Sequence, residues 1–248
     1  MPPFPPKKAL LLFVCLILVA GTTLLWHSCS VKNGNNTSLP LKSMDPKGEE
    51  PSLVNRHILF VSDYAGQGYS VPAEKSVPTL LQRSIDSAKL KYLLIDYSFQ
   101  GESVREVTKR IPYLDQRIDA LILLSGASDV AAVNDLELVR NHYLSLIENV
   151  GRKRADMKIV VGGVYFESEQ DGYSNRLNQV LLEVTRLKNG RFIPSILGQE
   201  KDVSRYLWPD GVHLRETGHQ QAASQIWKVL KPMLEDQMKS EMNGNSVD

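Results

Sequence analysis

From His57 onward, short continuous apolar runs alternate with stretches in which apolar residues recur every three or four positions. The runs are His57–Val61, Tyr92–Ile95, Ala120–Leu124 and Met157–Val164, with a weaker one at Arg191–Ile196. A strand with one wet face would alternate apolar and polar residues. Unbroken apolar runs predict strands covered on both faces. The stretches between them predict helices. Ser76–Ala88 carries Val77, Leu80, Leu81 and Ile85 on one face, and a second helix lies near Ser103–Gln116. Asp135–Val150 carries Leu136, Val139, Tyr143, Leu146 and Ile147, and Ser174–Leu187 is the fourth helix. Glu216–Met238 closes the domain with Ala222, Ala223, Ile226, Val229 and Leu230 on one face, and Pro232 is expected to kink it or end it early. Repeats of this length predict an α/β fold. The expected architecture is a single doubly wound, mostly parallel five-stranded sheet in the flavodoxin-like order 2-1-3-4-5. No internal repeat is visible.

The pattern before His57 is different. Residues 1–8 are proline-rich and end in Lys7-Lys8, and Ala9–Trp26 then runs about 18 residues without a charge. At 1.5 Å per residue that is near the lower limit for a bilayer core of about 30 Å. Apolar residues resume at Leu24-Leu25 beyond the small-residue site Val19-Ala20-Gly21, so 9–26 reads as a transmembrane signal anchor in preference to a cleaved signal peptide. Residues 27–55 lack apolar periodicity and are rich in Asn, Ser, Gly and Pro, the composition of a flexible stalk. Two overlapping glycosylation triplets, Asn35-Asn36-Thr37 and Asn36-Thr37-Ser38, lie within it. The expected organisation is a cytoplasmic 1–8, an anchor at 9–26, a stalk at 27–55, a domain at 56–238 and a disordered tail at 239–248. The domain then lies on the exported side of a single-pass membrane protein, whether periplasmic, extracellular or luminal, with secretion as the alternative.

Composition narrows the chemistry. Among 248 residues the formal net charge is +1, with 42% hydrophobic and 23% charged residues. No block of five like charges occurs, which argues against a nucleic-acid partner. The densest basic cluster is Arg152-Lys153-Arg154. The only cysteines are Cys15 and Cys29, both before the domain, so it has no disulfide framework and no CxxC metal site. His57, His142 and His219 have no metal-ligand spacing, and Gly66-Gln67-Gly68 lacks the Lys-Ser/Thr ending of a phosphate loop. Neither a metal nor a cofactor is expected.

In a sheet of this order the reactive groups belong at the carboxyl ends of the strands. Those ends are Ser62–Gly68, Tyr97–Glu102, Gly126–Val130 and Pro209-Asp210-Gly211-Val212-His213. In this order the four loops resemble the four motif blocks of the SGNH hydrolases, or GDSL esterases, most closely the small bacterial acyl-esterase and thioesterase branch. The resemblance extends over about Arg56–Glu235. That branch reads Gly-Asp-Ser-Leu-x-x-Gly-Tyr, then Val-Pro and Pro-x-Leu-Leu-Gln. This chain reads Ser62-Asp63-Tyr64-Ala65-Gly66-Gln67-Gly68-Tyr69, then Val71-Pro72 and Pro78-Thr79-Leu80-Leu81-Gln82. The family's nucleophilic serine therefore falls on Tyr64. The resemblance implies that Gly101 supplies an oxyanion-hole N–H. In Gly126-Ala127-Ser128-Asp129, Ser128 stands where the family has its oxyanion-hole asparagine. It also implies that His213 is the general base and Asp210 its orienter. Asp63 and Asp129, which flank the two substituted positions, are carried as binding residues.

The substitutions bear directly on activity. A triad needs a hydroxyl whose proton the imidazole can accept. Tyrosine carries its oxygen several ångströms further out on a rigid ring and forms an acyl ester less readily. Losing one oxyanion-hole side chain typically costs about 3–4 kcal/mol, and losing the nucleophile costs more. Tyr64 is thus expected to plug the old nucleophile pocket, and Ser62 is a poorer substitute because it precedes the exposing turn. The expected function is a non-hydrolytic binding or accessory role toward a small acyl or carbohydrate-type ligand or a protein partner. The alternative is an ester hydrolase or acyltransferase using a rearranged site on His213 and Asp210.

Overall fold

In a computed structural model, the described residues are 56–64, 66, 71–114, 116–126, 128–129, 135–164, 172–199 and 202–244. The anchor and stalk expected at 1–55 lie outside them. Among the described residues no helix is long and apolar enough to cross a membrane.

The strands are β1 (Arg56–Ser62), β2 (Tyr92–Asp96), β3 (Ala120–Leu124), β4 (Lys158–Gly162) and β5 (Arg191–Ile193). They form one sheet in the order β2-β1-β3-β4-β5, and every pairing is parallel. This is the order read from the sequence. The helices are α1 (Val77–Ser87), α2 (Val104–Arg110), α3 (Leu136–Gly151), α4 (Tyr173–Leu187) and α5 (Glu216–Gly244).

The continuous apolar runs divide between two cores. Ile58 and Phe60 of β1, with Ala120, Ile122 and Leu124 of β3, face a core that includes Leu81 and Ile85 of α1 and Ile226 and Leu230 of α5. Leu59, Val61, Leu121 and Leu123 face the opposite core, built with Val107 of α2, Tyr143 and Leu146 of α3 and Leu181 of α4. Period-2 geometry splits each run, and helices on both sides keep each half dry.

Several boundaries differ from the sequence reading, each for a local reason. Helix α2 ends at Arg110 and a 3-10 turn, Ile111–Tyr113, follows. Pro112 has no N–H to donate to the carbonyl four residues back, so the α-helical ladder stops there. At its other end α2 starts from a capping box, in which Ser103 and Glu106 each take the other's backbone N–H. Strand β5 is only three residues long, because Pro194 cannot donate to the ladder.

Helix α5 runs through Pro232 to Gly244, six residues past the expected end at Met238. An interior proline costs about 3 kcal/mol. Ile226, Leu230 and Leu234 are fully buried around it, and each such side chain contributes roughly 1.5–3 kcal/mol. Packing therefore wins. Beyond Met238, the residues Lys239 to Asn243 contain no breaker before Gly244.

At the amino end of the sheet, the fully buried Asp119 accepts the His57 N–H at 2.8 Å and an Arg117 guanidinium N–H at 3.1 Å. It also pairs with Arg154. The carboxyl end, where the order reverses between β1 and β3, holds the loops of interest.

Candidate active site

The first loop leaves β1 at Ser62 and turns sharply. Asp63 is buried, and its carboxylate is turned inward onto backbone groups. Oδ1 accepts the Tyr64 N–H at 2.8 Å, and Oδ2 accepts Gly126 N–H at 3.1 Å and Ser128 N–H at 3.0 Å. One carboxylate thus fastens the first loop to the third, and Asp63 works as a loop tie. Burial pushes its carboxyl above the ordinary aspartate range, against the N–H bonds from Ser128, Gly126 and Tyr64. Ser62 is buried, and its hydroxyl donates to Ser98 at 3.1 Å. That pair lies tight under Gly66. An added Cβ there would come within 2.1 Å of the Ser98 Oγ and 2.5 Å of the Ser62 Oγ, so only glycine fits.

Tyr64 stands between the remaining groups. Its ring meets the His213 ring edge-to-face, with centroids 5.1 Å apart and planes at 89°. Its hydroxyl lies 3.8 Å from the place a Cβ on Gly101 would occupy. Gly101 has φ 76°, so its own requirement for glycine comes from the left-handed backbone. One side chain therefore packs on the imidazole with its ring and points its hydroxyl toward the side of Gly101 where a Cβ would stand.

The fourth loop is a closed hairpin. Leu207 and Leu214 form an antiparallel bridge, Trp208 N–H donates to the His213 carbonyl at 2.9 Å, and Arg215 N–H donates to the Tyr206 carbonyl at 2.7 Å. Within it Asp210 Oδ1 accepts from Val212 N–H at 2.9 Å and His213 N–H at 3.0 Å, while Oδ2 lies 2.8 Å from His213 Nδ1. Burial alone would raise the Asp210 carboxyl. The His213 and Val212 N–H bonds and the imidazole together outweigh it and hold the carboxyl below its ordinary value. The carboxylate is thus ionised at neutral pH and keeps a proton on Nδ1, which leaves Nε2 as the acceptor nitrogen.

Nε2 has a partner that motif reading missed: the Gln100 side-chain nitrogen lies 3.0 Å away. No spacing rule marks Gln100, because the contact joins residues 113 apart in sequence.

In the third loop Ser128 is buried, and its hydroxyl has no hydrogen-bond partner among the described residues. Asp129, also buried, accepts the Val104 N–H through both oxygens at 3.2 and 3.1 Å, which caps α2. Burial pushes its carboxyl up to about 6, against the Val104 bond, and the negative charges of Asp63 and Glu106 act in the same direction as burial. Asp129 is held inward as a helix cap. A cavity of ≈ 70 Å³ lies beside Tyr64, lined by Asp63, Leu124, Val164, Ile196, Leu207 and Leu214 among others. Drug-sized ligands fill roughly 300–1,000 Å³, so this space takes only a few atoms. Among the described residues no cluster of His, Cys, Asp or Glu is arranged to hold a metal ion.

The arrangement therefore brings together His213, Asp210, Tyr64, Gly101 and Gln100, and engages the Asp63 and Asp129 carboxylates on backbone N–H groups, with Asp63 also lining the cavity. It retains an oriented imidazole. Beside that imidazole it has the Tyr64 ring.

No curated protein matches the chain in sequence. Solved structures match the fold. The crystal structure of TesA is 17% identical, with a TM-score of 0.65 over 71% of this chain and 99% of that one. The psychrotrophic esterase EstA from Pseudoalteromonas sp., in a structure inhibited by monoethylphosphonate, is 16% identical with a TM-score of 0.64 over 73% and 99%. A Clostridium thermocellum family 3 carbohydrate esterase is 17% identical with a TM-score of 0.62 over 73% and 98%. The model of the GDSL-like lipase/acylhydrolase family matches residues 64–221, more than half of the chain. With that match running from the Tyr64 turn past the Asp210–His213 hairpin, the chain belongs to the GDSL-like lipase/acylhydrolase family.

Proposed function

We propose that this member of the family is a non-hydrolytic binding or accessory protein, with a degenerate site and a domain held on the exported side of a membrane by residues 9–26. The observation that carries the reading is the placement of Tyr64. Its ring packs edge-to-face on His213 and its hydroxyl points to the side of Gly101 where a Cβ would stand, so one side chain lies in the space between the imidazole and the second loop that an attacked acyl group would need. A phenol so placed has no room to act as nucleophile without expelling the substrate. The orphaned Ser128 hydroxyl is a shorter donor than the asparagine of the family pattern. The cavity beside Tyr64 admits only a few atoms, so a small acyl or carbohydrate-type ligand would rest mainly on the rim, where a protein partner would also meet it. The uncharged 9–26 run and the stalk-like 27–55 support the tether.

The intact His213–Asp210 pair favours a second reading, an ester hydrolase or acyltransferase in which Tyr64 swings aside. One experiment separates the two. The full chain in detergent is offered short-chain acyl esters and a serine-directed fluorophosphonate. The expected result is no turnover and no labelling, with hydrolysis gained in a Tyr64→Ser, Ser128→Asn double variant. Turnover by the unaltered protein that is lost in His213→Ala would overturn the binding-protein reading in favour of the enzyme.

A further inference from the structure

We propose that Gln100 is a second lock on the site, independent of Tyr64, acting as a carboxamide that occupies the proton-accepting nitrogen of His213. The inference rests on the degenerate-site reading and adds to it a residue of the second loop to which the motif comparison gave no role.

The imidazole is satisfied on both sides. Asp210 Oδ2 at 2.8 Å holds the proton on Nδ1, so Nε2 presents a lone pair, and the Gln100 amide donates to it at 3.0 Å. A general base must offer that lone pair to the nucleophile's proton. Here the lone pair is already engaged. In the other amide orientation the carbonyl oxygen would require a proton on Nε2, and the base would again be unable to accept one.

Gln100 does not reach His213 by chance rotation of a loose loop, because the backbone on either side of it is pinned. Tyr97 N–H donates to the Phe60 carbonyl at 2.8 Å, Phe99 N–H to the Ser62 carbonyl at 3.1 Å, and Glu102 N–H to the Phe99 carbonyl at 3.2 Å. Arg110 of α2 then clamps both flanks. Its guanidinium lies 3.5 Å from the Phe99 ring centroid and pairs with Glu102 at 2.5 Å. Arg110 is thus a positioning residue that presents Gln100 to His213. Gln100 itself is exposed, so removing its side chain leaves no cavity and should not disturb folding.

The test reads His213 directly. In the full-length protein, carbethoxylation by diethyl pyrocarbonate is followed at each histidine by peptide mass, with the fully buried His219 as internal control. Removing the Gln100 amide from Nε2 in Gln100→Ala should speed modification of His213 by roughly fivefold, the worth of one neutral hydrogen bond. The ring nitrogen shifts in 15N-labelled protein should also show Nε2 losing its bonded partner while the proton stays on Nδ1. Gln100→Leu keeps the bulk without the donor and should show the same nitrogen shift, which separates hydrogen bonding from shielding. In the Tyr64→Ser, Ser128→Asn background, adding Gln100→Ala should raise ester hydrolysis a further fivefold or so. An unchanged Nε2 shift in both Gln100 variants would overturn the lock. Ester turnover by the unaltered protein would instead overturn the degenerate-site reading, so the two failures are distinguishable.

Discussion

Asp63 and Asp119 sit at opposite ends of the same sheet, both buried, and they are neutralised in opposite ways. Asp119 has a backbone N–H and two guanidinium partners, Arg117 and Arg154. Asp63 has three backbone N–H partners. Amide dipoles offset part of the cost of burying a charge, whereas a paired guanidinium opposes it with a full charge. The amino end of the sheet is therefore bolted by ions. The carboxyl end is tied by a carboxylate whose protonated form is favoured by burial, and such an end can lose or gain chemistry by changes of single side chains. Tyr64 and Ser128 lie at that end.

The largest expected effect breaks that comparison at the ion-paired end. Asp119→Ala leaves the nearly buried Arg154 guanidinium without its buried partner and should cost about 3–5 kcal/mol in urea unfolding at pH 7. Asp63→Asn keeps an acceptor for part of the loop and should cost about 1–3 kcal/mol. Equal losses at the two ends would show that the amide-tied carboxylate is as tightly built in as the ion-paired one.

The next effect concerns pH. His219 is fully buried with neither ring nitrogen bonded among the described residues, and burial lowers its pKa to about 4. Between pH 6.5 and 4 the unfolded chain takes up a proton that the folded chain refuses, so His219 lowers stability as the pH falls, by about 3 kcal/mol in all. Asp129, raised to about 6, has the opposite sign. Between pH 6 and its unfolded value the folded chain holds a proton that the unfolded chain has released, so stability rises as the pH falls, again by about 3 kcal/mol. The two windows nearly coincide and their effects oppose each other. In unfolding series from pH 7 to 4, Asp129→Asn should make acidification more destabilising, and His219→Leu should make it less so or stabilising. Parallel curves for the two variants would contradict these assignments.

The smallest effect sharpens the picture of the carboxyl end. Ser128→Ala removes a buried hydroxyl that has no partner among the described residues, so stability should change by less than about 1 kcal/mol and tend upward. A loss well above that, read as a fall in the thermal midpoint, would mean the hydroxyl is bonded after all.

Much of this was legible in the chain. Continuous apolar runs such as Ala120–Leu124 could serve only as strands covered on both faces, and their spacing allowed the strand order that the structure has. Tyr64 was legible as part of the turn after β1, and Asp210 and His213 were visible as a short-range pair. The ends of elements were less legible where packing outweighed local preference, as in α5, which runs through Pro232. The inward roles of Asp63 and Asp129 were not legible. A carboxylate next to a motif residue looks the same in sequence whether it faces a ligand or a loop amide. Gln100 left no signal at all, since its partner is set by how two strand-end loops converge.

By itself, then, the sequence determined the layers, the strand order and the family. These follow from periodicity and from local spacing, which a linear chain carries in full. Only the tertiary structure decided where the Tyr64 ring lies, which nitrogen Gln100 meets and which carboxylates face the scaffold. Each of those depends on distances between loops that are remote in sequence. Those distances are set by the twist of the sheet and the packing of two cores, and no single stretch of the chain encodes them.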